Sequence, residues 1–285
     1  MTLVPGPSAR LEGKVAIVTG ATQGLGLDIA RRLVSDGAKA TLIGRGRDAG
    51  AAAAREIGPS ALFVETDVCD DDALDRAIGE TITRFGRLDI VVNNACSYDD
   101  AGLASTRAQW LRTLNVNLVS AAILVQKAAS HMTAGSVIVN LGSTGGKFGA
   151  AGRAVYPASK AAMLQLTRSM AVSLAPSGIR CVSVSPAWTW SPSVEALSQG
   201  DRALADRVAA RFHPLGRVGR GEEVAAVVAF LCCADASWVT GVDWPVDGGF
   251  TSLGPDQGRA PRDWFAQQSA AEEAPASTTA SQLSK

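Results

Sequence analysis

Thr19-Gly20-Ala21-Thr22-Gln23-Gly24-Leu25-Gly26 follows the apolar, β-branched run Lys14–Thr19 and opens a helical stretch that reaches about Ser35. A strand, a glycine turn and a helix in that order bring backbone N–H groups and the positive end of a helix dipole to one point, where a pyrophosphate can be held. Glycines there let the chain turn sharply and let its backbone approach a ligand closely. Gly20, Thr22, Gln23, Gly24, Leu25 and Gly26 are the candidate phosphate-binding residues. The spacing is T-G-x-x-x-G-x-G rather than G-x-G-x-x-G, and an ordinary turn between strand and helix can also be rich in glycine.

Outward from this loop, strand-like and helix-like patterns alternate. Short apolar runs at Ala40–Ile43, Ala61–Glu65, Asp89–Asn93, Ser136–Leu141, Arg180–Val184 and Asp243–Val246 read as strands. Asp48–Ile57, Asp71–Phe85, Ala108–Met132, Tyr156–Leu174 and Gly221–Leu231 read as helices. The strands are nearly continuous in apolar character, which suits a parallel sheet covered on both faces. The βαβα order predicts a single α/β domain, a doubly wound parallel sheet flanked by helices.

The predicted catalytic domain is residues 11–253, with an extension over 1–10 and a tail over 254–285 that is disordered beyond about 268. With 47% hydrophobic and 19% charged residues, a chain of 285 can bury a sizeable core. The formal net charge of zero provides no global field for nucleic acid or anionic membrane, so neither is expected as a partner. Five cysteines form no C-x-x-C pair, and His131 and His213 lack an acidic or thiol cluster at ligand spacing, so no disulfide framework and no metal site is expected. The first residues lack a secretory signal pattern and no apolar run approaches the ~20 residues of a membrane span, which points to the cytoplasm.

Tyr156 and Lys160 stand one helical turn apart, so phenol and ammonium share a face. A phenol, with a reference pKa of about 10, is a poor base near neutrality, and a neighbouring ammonium favours its ionised form. Such a pair can exchange a proton with a substrate oxygen. Ser143, just past the strand Ser136–Leu141, can hold the same oxygen through its hydroxyl.

Together the glycine loop, Asn-Leu-Gly-Ser143 and Tyr156-x-x-x-Lys160 resemble the short-chain dehydrogenase/reductase family, in its 3-oxoacyl-carrier-protein-reductase-like branch, over roughly Leu11 to Thr251. The resemblance implies a Rossmann fold, Tyr156 as general acid/base, Lys160 on the nicotinamide ribose, and Ser143 on the substrate carbonyl or hydroxyl. It also implies that Asn117 supports a proton-relay water, with Asn115 the weaker candidate. Asp67 and Val68 match the family's adenine-binding pair, Asn94 and Ala95 its Asn-Asn-Ala-Gly motif, and Pro186, Thr189 and Ser191 the segment beside the nicotinamide. Cys96 and Ala187 replace glycines usual in the family, and each is expected to tighten its loop or narrow the pocket. Pro157 is expected to kink the catalytic helix or mark its start.

In the family comparison Gly44 takes the place of an acidic residue that would hold a ribose 2′-hydroxyl. Arg45 follows and suits a 2′-phosphate, with Arg47 a second candidate, so NADP(H) is the expected cofactor and NAD(H) the alternative. In the other reading Arg45 merely stacks on adenine. Ser97, Tyr98, Phe148, Trp188 and Trp190 are candidate substrate-wall residues, although the tryptophans fit packing roles equally well, and 191–213 resembles the family's mobile lid. Family members commonly form homodimers or homotetramers, which points to the long helix with Trp110 and the helix with Tyr156 as contact surfaces.

The function expected is hydride transfer between NADP(H) and a secondary alcohol or ketone. The alternatives are a 3-oxoacyl-thioester reductase, a dehydrogenase of sugars or cyclic alcohols, a non-catalytic NADP(H)-sensing module, and a nucleotide-sugar epimerase or dehydratase on the same fold.

Overall fold

Each strand of the sheet sends alternate side chains to opposite faces, and both faces are apolar. Ala16 and Val18 point into one core and Ile17 into the other; Val92 and Val91, Val139 and Ile138, Val182 and Cys181 divide the same way. The computed structural model describes residues 10–254 and 256–273. Seven parallel strands run in the order β3-β2-β1-β4-β5-β6-β7: β1 (Val15–Thr19), β2 (Lys39–Gly44), β3 (Ala61–Glu65), β4 (Ile90–Asn93), β5 (Val137–Leu141), β6 (Arg180–Pro186) and β7 (Asp243–Val246). The predicted doubly wound α/β domain is therefore present.

Helices α1 (Gly24–Ser35) and α9 (Gly221–Cys232) cover one face and pack against each other. The opposite face carries α3 (Asp71–Phe85), α5 (Ser120–Ala129) and α6 (Val155–Leu174), while α2 (Arg47–Ile57) lies against β2 and β3. Between β6 and α9 come two short helices, α7 (Pro192–Leu197) and α8 (Arg202–Ala209), within the expected lid.

Two expectations change. The continuous helix read over 108–132 is α4 (Arg107–Leu114) and α5 joined by a π-turn at Asn115–Val119. Hydrophobic periodicity does not announce one inserted residue, and such turns concentrate where a side chain has to be re-aimed. The chain is also helical past 268, because α10 runs Pro261–Glu273. Residues 1–9 of the expected extension and 274–285 of the expected tail lie outside the described residues.

The strand order reverses at β1, since β1 pairs with both β2 and β4 and the chain crosses from one side of the sheet to the other. In open α/β sheets ligands gather outside the carboxyl ends of the strands at such a point. Its opposite end is tied by Asp89, whose side chain is 1% exposed. The Asp89 carboxylate accepts from Val15 N at 3.0 Å and from Arg87 Nε and Nη2 at 2.8 and 2.6 Å. Asp89→Ala leaves the Val15 N–H and the guanidinium without their acceptor. We expect it to lower unfolding free energy by about 1–3 kcal/mol, read as a reduced urea midpoint at constant m-value; an unchanged midpoint would show the tie to be dispensable.

Candidate active site

The glycine loop leaves the carboxyl end of β1 with no room for side chains. At Gly20, φ is +63°, and a Cβ there would stand 3.0 Å from Ala95 Cα. At Gly26 a Cβ would meet the Gly20 carbonyl oxygen at 2.4 Å. Gly24 also has positive φ and begins α1, whose N-cap residue Gln23 makes no side-chain capping bond. The first-turn N–H groups of a helix have no intrahelical acceptor. An uncapped, glycine-floored helix end with no acidic residue in its first turn fits a pyrophosphate.

Across the seam, the Asn94 and Ala95 amides both donate to Thr19 Oγ1 at 2.8 Å, and Asn94 Nδ2 donates to Thr19 O at 2.9 Å and Gly20 O at 3.2 Å. The Asn94 side-chain amide is therefore spent on holding the loop. Asp67 is exposed and Val68 buried at the end of β3, where Asp67 Oδ1 accepts from Cys69 N.

The second group converges from β5, the π-turn and α6. Lys160 is 4% exposed; its Nζ donates to Leu141 O at 2.7 Å and lies 5.8 Å from the centre of the Tyr156 ring. Ser143 Oγ accepts from Gly145 N at 3.0 Å. A Cβ built on Gly145 would be 3.3 Å from Ser143 Oγ and 3.4 Å from Tyr156 Cε1, so serine hydroxyl and tyrosine ring border the same small space. Gly146 permits the approach, since a Cβ there would press on the Lys160–Ala161 backbone at 2.8 Å.

The π-turn separates the two asparagines. Asn115 is exposed, whereas Asn117 is 2% exposed. Asn117 Oδ1 accepts from Ser97 N at 2.6 Å, and its Nδ2 donates to Ser97 O at 2.9 Å and Ser159 Oγ at 3.0 Å. The loop after β4 is thereby fastened to α6. Cys96 sits in this knot: burial pushes its thiol up, opposed by the Lys160 charge and by hydrogen bonds with Lys160 and Asn117.

Sequence reasoning missed Asp100. Its carboxylate accepts from the backbone of Ala154 at 3.0 Å, Tyr156 at 2.9 Å and Gly102 at 2.9 Å. Burial would raise its pKa, but the bonds from Tyr156, Ala154, Gly102 and Val155 hold it below the usual carboxylate value. It caps α6 from 54 residues away, a distance at which no local capping pattern could reveal it. The helix begins at Val155, so Pro157 falls in its first turn, where a missing N–H costs nothing.

The expected substrate wall is partly rearranged. The ring of Tyr98 stacks on Tyr156 with centroids 5.0 Å apart. Phe148 and Trp188 join an aromatic file in which Phe148–Phe250, Phe250–His213, His213–Trp188 and Trp188–Phe212 centroids are 6.0, 5.3, 5.8 and 5.4 Å apart. Ser97 instead turns its hydroxyl towards Thr113 and Asp99 N, and Trp190 packs under α8 with Ala205, Ala209 and Val218, beneath the Arg202 guanidinium. Both make contacts within the framework. At the end of β6, beyond Pro186, Thr189 Oγ1 donates to Ala187 O and Ser191 Oγ caps α7, so these hydroxyls shape their own loop.

A Cβ at Gly44, at the end of β2, would lie 2.8 Å from Thr22 Cγ2, so a side chain there would require Thr22 to shift. Arg47 is engaged with Glu65 at 2.7 Å. Arg45 is exposed and has no ion-pair partner among the described residues. Among the described residues there is also no group of three or more His, Cys, Asp or Glu arranged to hold a metal, and no helix is long and apolar enough to cross a membrane.

The family model described as Enoyl-(Acyl carrier protein) reductase matches residues 20–251. A cis-4-hydroxycyclohexanecarboxylate dehydrogenase of Sinomonas cyclohexanicum is 38% identical over 252 residues, covering 84% of this chain and 97% of that one. A 3-oxoacyl-[acyl-carrier-protein] reductase of Mycobacterium bovis is 34% identical over 252 residues, covering 87% and 97%. A solved short-chain dehydrogenase/reductase from Brucella melitensis, titled glucose/ribitol dehydrogenase, superposes with a TM-score of 0.80 at 31% identity, covering 85% of this chain and 98% of that one. With its seven-stranded parallel sheet, these matches make the chain an oxidoreductase of CH–OH and C=O groups that belongs to the short-chain dehydrogenase/reductase family.

Proposed function

We propose that this protein moves hydride between NADP(H) and a secondary alcohol or ketone, with Tyr156 as the general acid/base. The observation that carries the reading is the buried Lys160 ammonium, held by Leu141 O one turn from the Tyr156 ring. A bound nicotinamide supplies or accepts the hydride. In the reducing direction the Ser143 hydroxyl holds the substrate carbonyl and Tyr156 gives its proton to the developing alkoxide; in the oxidising direction Tyr156 takes the proton back. Lys160 stabilises the phenolate left behind and faces the ribose. Asn117 keeps the loop after β4 and α6 in register and lies where a relay water can be held. Asp100 positions Tyr156 by bonding the first turn of its helix.

The preference for NADP(H) rests on Arg45, which has no ion-pair partner among the described residues, next to Gly44 at the end of β2, where no acidic side chain is present. The relatives named for a hydroxycyclohexanecarboxylate and for a 3-oxoacyl carrier protein support two substrate types for the same chemistry, a ring alcohol and a 3-oxoacyl thioester. We favour the ring alcohol because the aromatic file that starts at Phe148, on the loop after Ser143, offers flat walls to a compact body. Exposed Leu111 and Val119 near the π-turn and Val172 on α6 support a homodimer or homotetramer built through these helices.

Tyr156→Phe is expected to lower kcat/KM by about 10²–10⁴-fold while NADPH affinity, read by fluorescence, stays unchanged; turnover equal to the unsubstituted enzyme would refute the acid/base assignment. Arg45→Ala is expected to raise the KM for NADPH by about tenfold or more, the size of a lost charge-assisted bond, and to leave the KM for NADH alone. A preference for NADH in the starting enzyme would overturn the cofactor assignment.

A further inference from the structure

The aromatic file ends at a cleft that the reacting groups do not use. Its volume is about 300 Å³, and Phe148, Phe212, Phe250 and Leu253 line it together with Arg211 and Gln257. That size is at the lower end for small-molecule sites, which suits a compact body rather than a long chain. Two of these walls belong to the same edge of the sheet as Ser143: Phe148 follows it on the loop leaving β5, and Phe250 lies on the loop leaving β7. Trp188, reached from Phe250 through His213, lies on the loop leaving β6. The cleft is thus continuous, through ring contacts, with the loop that carries Ser143.

The one cation lining this cleft is Arg211, which has no ion-pair partner among the described residues. The other arginines of the region are engaged: Arg207 lies against Asp201, Arg217 against Glu223 and Arg220 against Asp206. The nearby carboxylate of Asp256 is turned onto its own backbone, accepting from Gly258 N at 3.1 Å. A lone guanidinium at the rim of an apolar cleft matches a single planar carboxylate, which it can bond in a two-pronged fashion. We propose that the substrate of this oxidoreductase carries a carboxylate, held by Arg211 with its apolar body against Phe148, Phe212 and Phe250. The inference rests on the alcohol/ketone reading above and adds the charge and shape of the molecule that enters.

The test has two arms. In the first, reduction of 4-oxocyclohexanecarboxylate is compared with that of its methyl ester, in the unsubstituted enzyme and in Arg211→Gln. The expected result is a kcat/KM at least tenfold higher for the acid than for the ester, and a loss of that advantage in Arg211→Gln with the ester rate unchanged. In the second, calorimetry reads binding of cyclohexanecarboxylate, which has neither hydroxyl nor ketone, to the full chain with NADP⁺ present. Binding is expected to weaken at least tenfold in Arg211→Gln and to fall with added salt only when the arginine is present. Equal handling of acid and ester, or equal binding by both proteins, would overturn the proposal. If no ketone is reduced but the inert carboxylate still binds through Arg211, the hydride-transfer reading fails and the carboxylate site stands.

Discussion

Two backbone amides, those of Asn94 and Ala95, converge on one hydroxyl, Thr19 Oγ1, and the rest of the functional edge depends on that convergence. It locks the ends of β1 and β4 together where the strand order reverses. The Asn94 side chain completes the lock by donating to the glycine loop, which leaves no volume for a Cβ at Gly20 or Gly26. Strand ends that splayed apart would shift the floor of the phosphate site and also the loop Cys96–Asp100, on which Asn117 and α6 are hung. The fold and the site are therefore one constraint seen at two scales: close backbone approach at a topological switch.

From that seam outward, most buried polar groups are bonded, Ser183 Oγ being one that is not. Asn93 donates to Asn140, which donates to Thr167, linking β4, β5 and α6 through a core that is otherwise apolar. A buried amide chain of this kind fixes relative position in a way that interchangeable aliphatic contacts do not. His213 is an exception: Nδ1 bonds Ala209 O, while the buried Nε2 has no partner. Its ring lies between Trp188 and Phe250 in the aromatic file.

What could be read from the chain alone follows from how local each signal is. The five inner strands are visible because a strand buried on both faces is a continuous apolar run, and the glycine loop because its demand for positive φ is written in residue type. Tyr156 and Lys160 were visible because one helical turn fixes their spacing. Asp100 was not, because its partners are reached only after the chain has folded over on itself. The π-turn was hidden because the residues around Asn117 keep helical composition while the register slips. A tryptophan on a loop reads equally as wall or as packing from sequence; Ala205, Ala209 and Val218 beneath Trp190 show the surface it covers.

Apart from Phe148, the walls of the aromatic cleft come from a different part of the chain than the proposed reacting groups. Ser143, Tyr156 and Lys160 belong to β5 and α6, deep in a parallel sheet where one altered volume disturbs many neighbours. Phe212, Phe250, Leu253 and Gln257 belong to the lid end and to the segment after β7, at the outermost strand. Replacements in that late segment can alter which molecules are accepted without disturbing how hydrogen is moved. A lineage built this way can diversify its diet by editing its final few dozen codons while its reaction is inherited intact.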